Sequence, residues 1–343
     1  MATAKKLPSG SYRVNLYIGK DANGKRKYKS FTALTKKEAE YLAAQYNQIH
    51  IDVNRSELLL SEAVERYIKS KENVLSPSTV RGYYAILRNY LPGLMQTRLK
   101  ELNAEVIQEQ FNVFAKDHSP KTCRNAYGLI SSTLKINRPD LRLNITLPQK
   151  QKRNIYIPSE DDILKISKLL DGSLMKTAFL LACQCGLRAS EISALKKKCV
   201  YADHIEIKEA RVVGIDGDVT KAPKSISGYR NVPISKSFFD FLISSADNDG
   251  YICNMRAPVI SNSWTSFRRK NGFDEDFNFH ALRHYYASKC LLLGMPQKYI
   301  AELMGHSSLD MIEKVYQHTF PSAMEAYAEK IREQIHFLLT ESL

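Results

Sequence analysis

No apolar run in the sequence approaches the roughly 18 residues that a membrane span needs. Its best candidate, Ala178 to Cys183, is far too short. The lysines of Met1–Gly10 are not followed by an apolar stretch. No secretory signal is therefore expected, and the cytoplasm is the expected compartment. Cysteine is scarce, with six in the chain and neither a CxxC pair nor a Cys/His zinc spacing among them. That pattern argues against a disulfide framework and a zinc site, and predicts buried free thiols. The phosphate-cradling GxxxxGK[ST] loop is missing, so the chemistry is expected to run without ATP. Internal repeats and low-complexity tracts are missing too, which argues against a repeat array.

What is present suits a globular protein of 343 residues, with two or three domains as the prior. Hydrophobic residues make up 44% and charged residues 25%, which excludes a wholly disordered chain. The charge is less ordinary. Fifty Lys and Arg face 36 Asp and Glu, a net charge of +14. Such an excess suits a polyanion that releases counterions on binding, above all nucleic acid. Residues 1–55 hold 11 Lys and Arg against 4 Asp and Glu, so half of the net charge sits in a sixth of the chain.

That basic segment reads as a small three-stranded sheet followed by a helix. Tyr12, Val14, Leu16 and Ile18 alternate with polar residues, and Asp21-Ala22-Asn23-Gly24 is a hairpin signal. Thr35 and Glu38 form a capping box that opens a helix running to about Val53. Lys25, Arg26, Lys27 and Lys29, interleaved with Tyr28, suit a sheet laid on DNA. Residues 56–138 switch to helical periodicity. Helices are expected to start at Ser61, Ser76-Pro77, Asn103 and Ser119-Pro120, and the four together predict a compact all-α domain. Arg81, Arg88, Lys121 and Arg124 give it positive faces, of which Arg81, Lys121 and Arg124 are taken as DNA contacts. A polar stretch over 139–156 reads as a linker. A mainly helical domain with one β region, about His204 to Pro233, fills 157–343.

Four separated segments of this last domain carry chemistry. In the first, Cys185-Gly186-Leu187-Arg188-Ala189-Ser190-Glu191, Gly186 ends one helix and Arg188 starts the next. An arginine at such a junction can grip two phosphate oxygens with its planar fork. The second, Lys221 to Pro233, reads as a β-turn between two strands with a lysine near its tip, able to protonate a leaving oxygen. Lys221 and Lys224 both qualify. The third is Phe279-His280-Ala281-Leu282-Arg283-His284, in which His280 and Arg283 share a helix face. A further histidine, His306, follows in Met304-Gly305-His306. No carboxylate stands at ligand spacing from these histidines, so no metal is expected. The fourth is Val315-Tyr316-Gln317-His318.

In this order and spacing, the segments resemble the tyrosine recombinase (phage integrase) family. The resemblance implies that Arg188 and Arg283 are the paired arginines, His280 and His306 the two histidines, and Tyr316 the nucleophile. It favours Lys224 as the hairpin lysine. It covers the whole chain and looks like the arm-binding, three-domain subtype of temperate phages and conjugative transposons. That implies arm-site binding by 1–55, and a core site clamped by the helical and catalytic domains. It also implies a homotetramer on two duplexes, with a host DNA-bending protein and an excision factor as further partners, and no cofactor. The apolar stripe Ala326, Ile331, Ile335 and Leu338 would then mark a helix exchanged between protomers. The expected fold is mainly α with small sheets. The competing readings are a catalytically silent DNA-binding protein of the same fold and a type IB topoisomerase.

Overall fold

The computed structural model describes residues 3–20, 25–150, 155–223 and 226–305, together with 309, 312–313 and 315. The chain falls into two compact units, Met1–Gln151 and Lys152–Leu343. No described helix is long and apolar enough to cross a membrane.

The first unit opens with an antiparallel sheet in the order β1 (Lys5–Lys6), β2 (Tyr12–Lys20), β3 (Arg26–Ala33), followed by helix α1 (Lys36–Ser56). Val14 pairs with Phe31 and Tyr17 with Tyr28, and the register shifts between Tyr17 and Gly19. Alternation sends Val14 and Phe31 to one face, where they pack with Ala39 and Ala43 of α1. Arg13, Asn15, Tyr17, Tyr28, Ser30 and Thr32 take the other face. Tyr17 and Tyr28, each about half exposed, meet there edge to face. The expected turn at 21–24 lies outside the described residues. Thr35 starts α1 as expected, accepting from the Glu38 N–H at 3.2 Å.

Next come α2 (Leu60–Lys71), α3 (Pro77–Asn89), the short α4 (Pro92–Met95), a 3₁₀ turn at Leu99–Glu101, α5 (Ala104–Asp117) and α6 (Pro120–Asn137). Ser76, Asn103 and Ser119 are the N-caps that the sequence marks. The first helix differs: it begins at Leu60 after Leu59, ahead of the expected Ser61. Tertiary pairing decides this start. The Leu60 N–H donates to the Thr97 carbonyl at 3.0 Å and the Leu99 N–H to the Leu58 carbonyl at 2.9 Å, while Glu62 accepts from the Leu59 N–H. The helices bury Leu60, Val64, Ile68, Leu99, Ile107 and Phe111 in one core, on which Leu141, Leu143, Ile145 and Leu147 also pack.

The second unit contains α7 (Glu160–Leu169), α8 (Leu174–Cys185), α9 (Ala189–Ile192), β4 (His204–Ile207), β5 (Ala210–Val213), β6 (Asp218–Lys221), β7 (Arg230–Pro233), α10 (Lys236–Ser245), α11 (Ala257–Lys270), α12 (Ala281–Leu292) and α13 (Gln297–Met304). Its fold is mainly α with small antiparallel sheets, as the sequence predicts. One expectation fails. The strands flanking the lysine-bearing segment do not pair with each other: β6 pairs with β5, and β7 with β4. A tight turn through Gly217 (φ +133°) folds β6 back on β5. A 3₁₀ turn at Ile226–Gly228 then carries the chain across to β4.

The core centres on Trp264, whose indole N–H donates to the Phe277 carbonyl at 2.7 Å. Phe179, Phe277 and Phe279 surround its ring. Of the six cysteines, five are buried and Cys199 is half-buried, and all are free thiols. Burial pushes the Cys183 thiol up to about 12 and the Cys253 thiol up to about 11, which suppresses the reactive thiolate.

Candidate active site

The site is assembled where α8, α9, α12, α13 and β7 converge. Gly186 ends α8 in the left-handed conformation (φ +63°), which costs glycine nothing. A Cβ there would lie 2.6 Å from Cδ1 of Tyr286, so close helix packing demands glycine as well. The turn delivers Arg188 to the N-cap of α9, where the Glu191 carboxylate accepts from the Arg188 backbone N–H at 2.9 Å. This is the junction the sequence predicts.

On α12, Phe279 is anchored in the aromatic core, so the next residue, His280, emerges at the helix start. Asn278 Oδ1 accepts from the Ala281 N–H at 3.2 Å and fixes that start. Arg283, one turn on, is fully buried and donates to the carbonyls of Gly186 and Met304. Arg188 Nη2 donates to the Gly305 carbonyl at 2.9 Å, and Arg230 Nε to the Leu303 carbonyl at 2.6 Å. Three guanidiniums thus satisfy three successive carbonyls at the end of α13, groups that a helix C-terminus leaves without partners and where its dipole favours cations.

Glu191 joins these arginines. It is 5% exposed and accepts from Arg188 Nη1 at 2.8 Å, Arg230 Nη2 at 2.8 Å and Arg230 Nη1 at 3.1 Å. Burial alone would raise its carboxyl. The Arg230 hydrogen bonds and the charges of Arg230, Arg188 and Arg283 outweigh burial and hold it at about 2. His280 reaches the surface, yet its ring is crowded. Desolvation, then His284, Arg283 and Arg188, push it down to about 3, against the lesser pull of Glu191. Its ring meets that of His284 edge to face at 4.8 Å. His284 falls to about 4, chiefly by desolvation and then by Arg283. His280 is therefore a neutral imidazole near pH 7 and keeps an acceptor nitrogen.

Of the six catalytic candidates, Arg188, His280 and Arg283 come together here. Lys224, His306 and Tyr316 lie outside the described residues, as does the expected C-terminal helix. The backbone leading to His306 is described. Gly305 takes φ +62°, and a Cβ on it would meet Arg230 Nη1 and the Ser227 carbonyl, each at 2.9 Å. Lys221 closes β6.

The DNA-contact candidates occupy the first unit. Lys25, Arg26, Lys27, Lys29, Arg81 and Lys121 are exposed. Lys29 lies on the α1 side of the sheet, with Nζ 4.0 Å from the centre of the Tyr46 ring. Arg124, half-buried, donates to the Pro120 carbonyl of its own helix at 3.1 Å.

Sequence reasoning missed Arg230 and the importance of Glu191. Glu191 carried a signal, an acid three residues after Arg188 and just ahead of Ile192, Ala194 and Leu195. Arg230 showed only as part of a basic segment.

The phage integrase family model matches residues 157–322, which hold the arginine cluster with Glu191 and His280. A XerC-like tyrosine recombinase of Caldanaerobacter subterraneus is 26% identical over 90% of this chain and 93% of its own. The ICEBs1 integrase of Bacillus subtilis is 24% identical over 96% and 99%. Among solved structures, the Tn1549 transposon integrase in complex with circular intermediate DNA shares the fold at a TM-score of 0.65. It is 17% identical, and the match covers 80% of this chain and all of that one. A lambda integrase dimer bound to a core site shares it at 0.61, with 16% identity, over 91% and 94%. Residues 157–322, just under half of the chain, thus match the phage integrase family, and over nearly its whole length the chain is similar to a tyrosine recombinase and an integrase.

Proposed function

We propose that this protein is a site-specific recombinase that integrates and excises a mobile element or phage genome through a 3′-phosphotyrosine intermediate. The observation that carries the reading is that Arg188 and Arg283 converge on the turn that leads into His306, with neutral His280 close to both arginines. Tyr316 attacks the scissile phosphorus, the bond to the 5′-oxygen breaks, and its energy is kept in the phosphotyrosine. The free 5′-hydroxyl of the partner strand then reverses the step. A phenol with an ordinary pKa near 10 needs a base at pH 7, and His280 takes its proton. Lys224 supplies the proton to the departing 5′-oxygen. Arg188, Arg283 and His306 stabilise the non-bridging oxygens, where preorganised donors are worth about 2.7–4 kcal/mol each.

In this reading residues 1–55 hold arm-type sites, 56–138 and 157–343 clamp the core site, and 139–156 link the two. The tetramer on paired duplexes, the exchanged C-terminal helix and the host bending and excision factors belong to the same proposal, as does action in the bacterial cytoplasm. The relatives' names support it: an ICEBs1 integrase and the transposases of Tn916 and Tn1545 stand among them. The experiment is covalent trapping. Candidate attachment-site duplexes are nicked so that the cut fragment diffuses away, and the bound DNA is sequenced. Exchange between two specific sites supports the recombinase. Relaxation of a lone supercoiled plasmid without a paired site would instead mark a topoisomerase, and binding without any adduct a silent relative.

A further inference from the structure

Arg230 lies outside the set of residues assigned to the reaction, yet it makes four hydrogen bonds around the site. Its side chain is only 5% exposed. Two of its nitrogens grip Glu191, Nη2 to Oε2 at 2.8 Å and Nη1 to Oε1 at 3.1 Å. Nε donates to the Leu303 carbonyl at 2.6 Å, and Nη1 also reaches the Gly228 carbonyl at 3.2 Å. One planar group thereby ties together the α9 turn, the end of the lysine-bearing segment, and the end of α13 just ahead of Gly305 and His306. Gly305 has no side chain to keep this guanidinium away, and a Cβ there would sit 2.9 Å from Arg230 Nη1.

Resting on the proposed recombinase reading, we propose that Arg230 is a positioning residue for strand cleavage, acting through Glu191 on Arg188. The carboxylate has two oxygens, and Arg188 shares Oε1 with Arg230. While Arg230 occupies both oxygens, Arg188 is held by one of them and by the Gly305 carbonyl. About a third of its side chain, 34%, stays open toward a ligand. Without Arg230, Glu191 is a buried carboxylate short of two donors. The nearest cation able to satisfy it is Arg188, which would be drawn into a two-pronged pair and away from the phosphate. The turn before His306 would lose its Leu303 anchor at the same time. A lysine keeps the charge but cannot make four bonds from one plane.

The test uses the full-length protein and the core duplex recovered by covalent trapping, made with either a normal scissile phosphate or a neutral methylphosphonate. Two variants are compared with wild type, Arg230→Lys and the paired change Arg230→Met with Glu191→Gln. The second removes both buried charges at once, and so leaves neither unpaired in a folded domain. Thermal unfolding and core-site affinity are measured alongside single-turnover cleavage. On the phosphate, both variants should fold, bind core DNA, and cleave about 30-fold or more slowly, as befits loss of oriented charge stabilisation. On the methylphosphonate, whose missing charge makes the arginine clamp less necessary, the deficit should shrink to about threefold or less. An equal deficit on both linkages would show that Arg230 only supports the fold, and near wild-type cleavage of the phosphate would show that it positions nothing. Failure of the wild-type chain itself to form an adduct would instead overturn the recombinase reading, and this inference with it.

Discussion

Substituting Gly186 by alanine tests whether the α8–α9 turn sets the site. Two costs arise together. The residue would have to hold φ +63°, where an L-side chain pays about 1–2 kcal/mol. The new Cβ would also press on Cδ1 of Tyr286 from 2.6 Å, and overpacking of this kind costs roughly 1–3 kcal/mol. Their sum is about 2–5 kcal/mol. For a catalytic unit of this size each kcal/mol lowers Tm by roughly 2–4 °C, so a loss of about 3 kcal/mol corresponds to a fall of about 6–12 °C. A double-mutant cycle with Tyr286→Ala separates the two terms in urea unfolding. The clash disappears when the ring is gone and the backbone term remains, so the coupling should be about 1–3 kcal/mol and favourable. Cleavage should fall along with stability, because the Gly186 carbonyl accepts from Arg283 and the turn carries Arg188. A Gly186→Ala protein within about 0.5 kcal/mol of wild type would refute the reasoning. So would a cycle with no coupling.

Tyr316→Phe should keep core-DNA affinity and lose the covalent adduct, read on a denaturing gel. Tyr285 and Tyr286 of α12 are poor substitutes, since burial raises both phenols, and an adduct surviving the change would reassign the nucleophile. Acidification should destabilise the catalytic unit. His280 and His284 titrate at about 3 and 4 in the fold against about 6.5 unfolded, so the unfolded chain binds more protons and stability falls as pH drops below about 6.5. Unfolding followed between pH 7.5 and 5 should show this slope, and His284→Asn should flatten it; an unchanged slope would mean that the pair titrates normally. Removing residues 1–55 takes away a net +7 and should reduce the salt dependence of DNA binding while core-site cleavage survives. Loss of cleavage by a folded remainder would make the segment part of the active unit.

The legible parts of the chain were those written locally. Asn103 and Ser119 act as caps because a short polar side chain reaches a backbone N–H three residues ahead. Gly186 could be placed because only glycine ends a helix there at no cost. The unread parts depend on chain segments far apart in sequence. Whether β6 pairs with β5 or with β7 is decided by a turn and by sheet partners, and period-2 alternation looks the same in either case. The start of α2 likewise moved forward because Thr97 and Leu99 bind its first turn.

Arg230 illustrates the limit best. Its partner Glu191 is 39 residues away and its carbonyl acceptor Leu303 is 73 away, so no local pattern marks it. What the sequence does show is a polarity anomaly: a glutamate flanked by Ile192, Ala194 and Leu195 on a turn that must be buried. A buried carboxylate requires cations. Arg188 is close enough in sequence to be one of them, and it is itself partly exposed, so a second cation from elsewhere is required. The structure supplies Arg230 and, through space, Arg283. One carboxylate among three guanidiniums leaves the cluster cationic. The end of α13 holds that residual charge in place through carbonyl dipoles, without cancelling it. A phosphodiester anion is the complement of such a cluster. In the proposed reading, the glutamate that organises the arginines is therefore as much a part of the phosphate site as the arginines themselves.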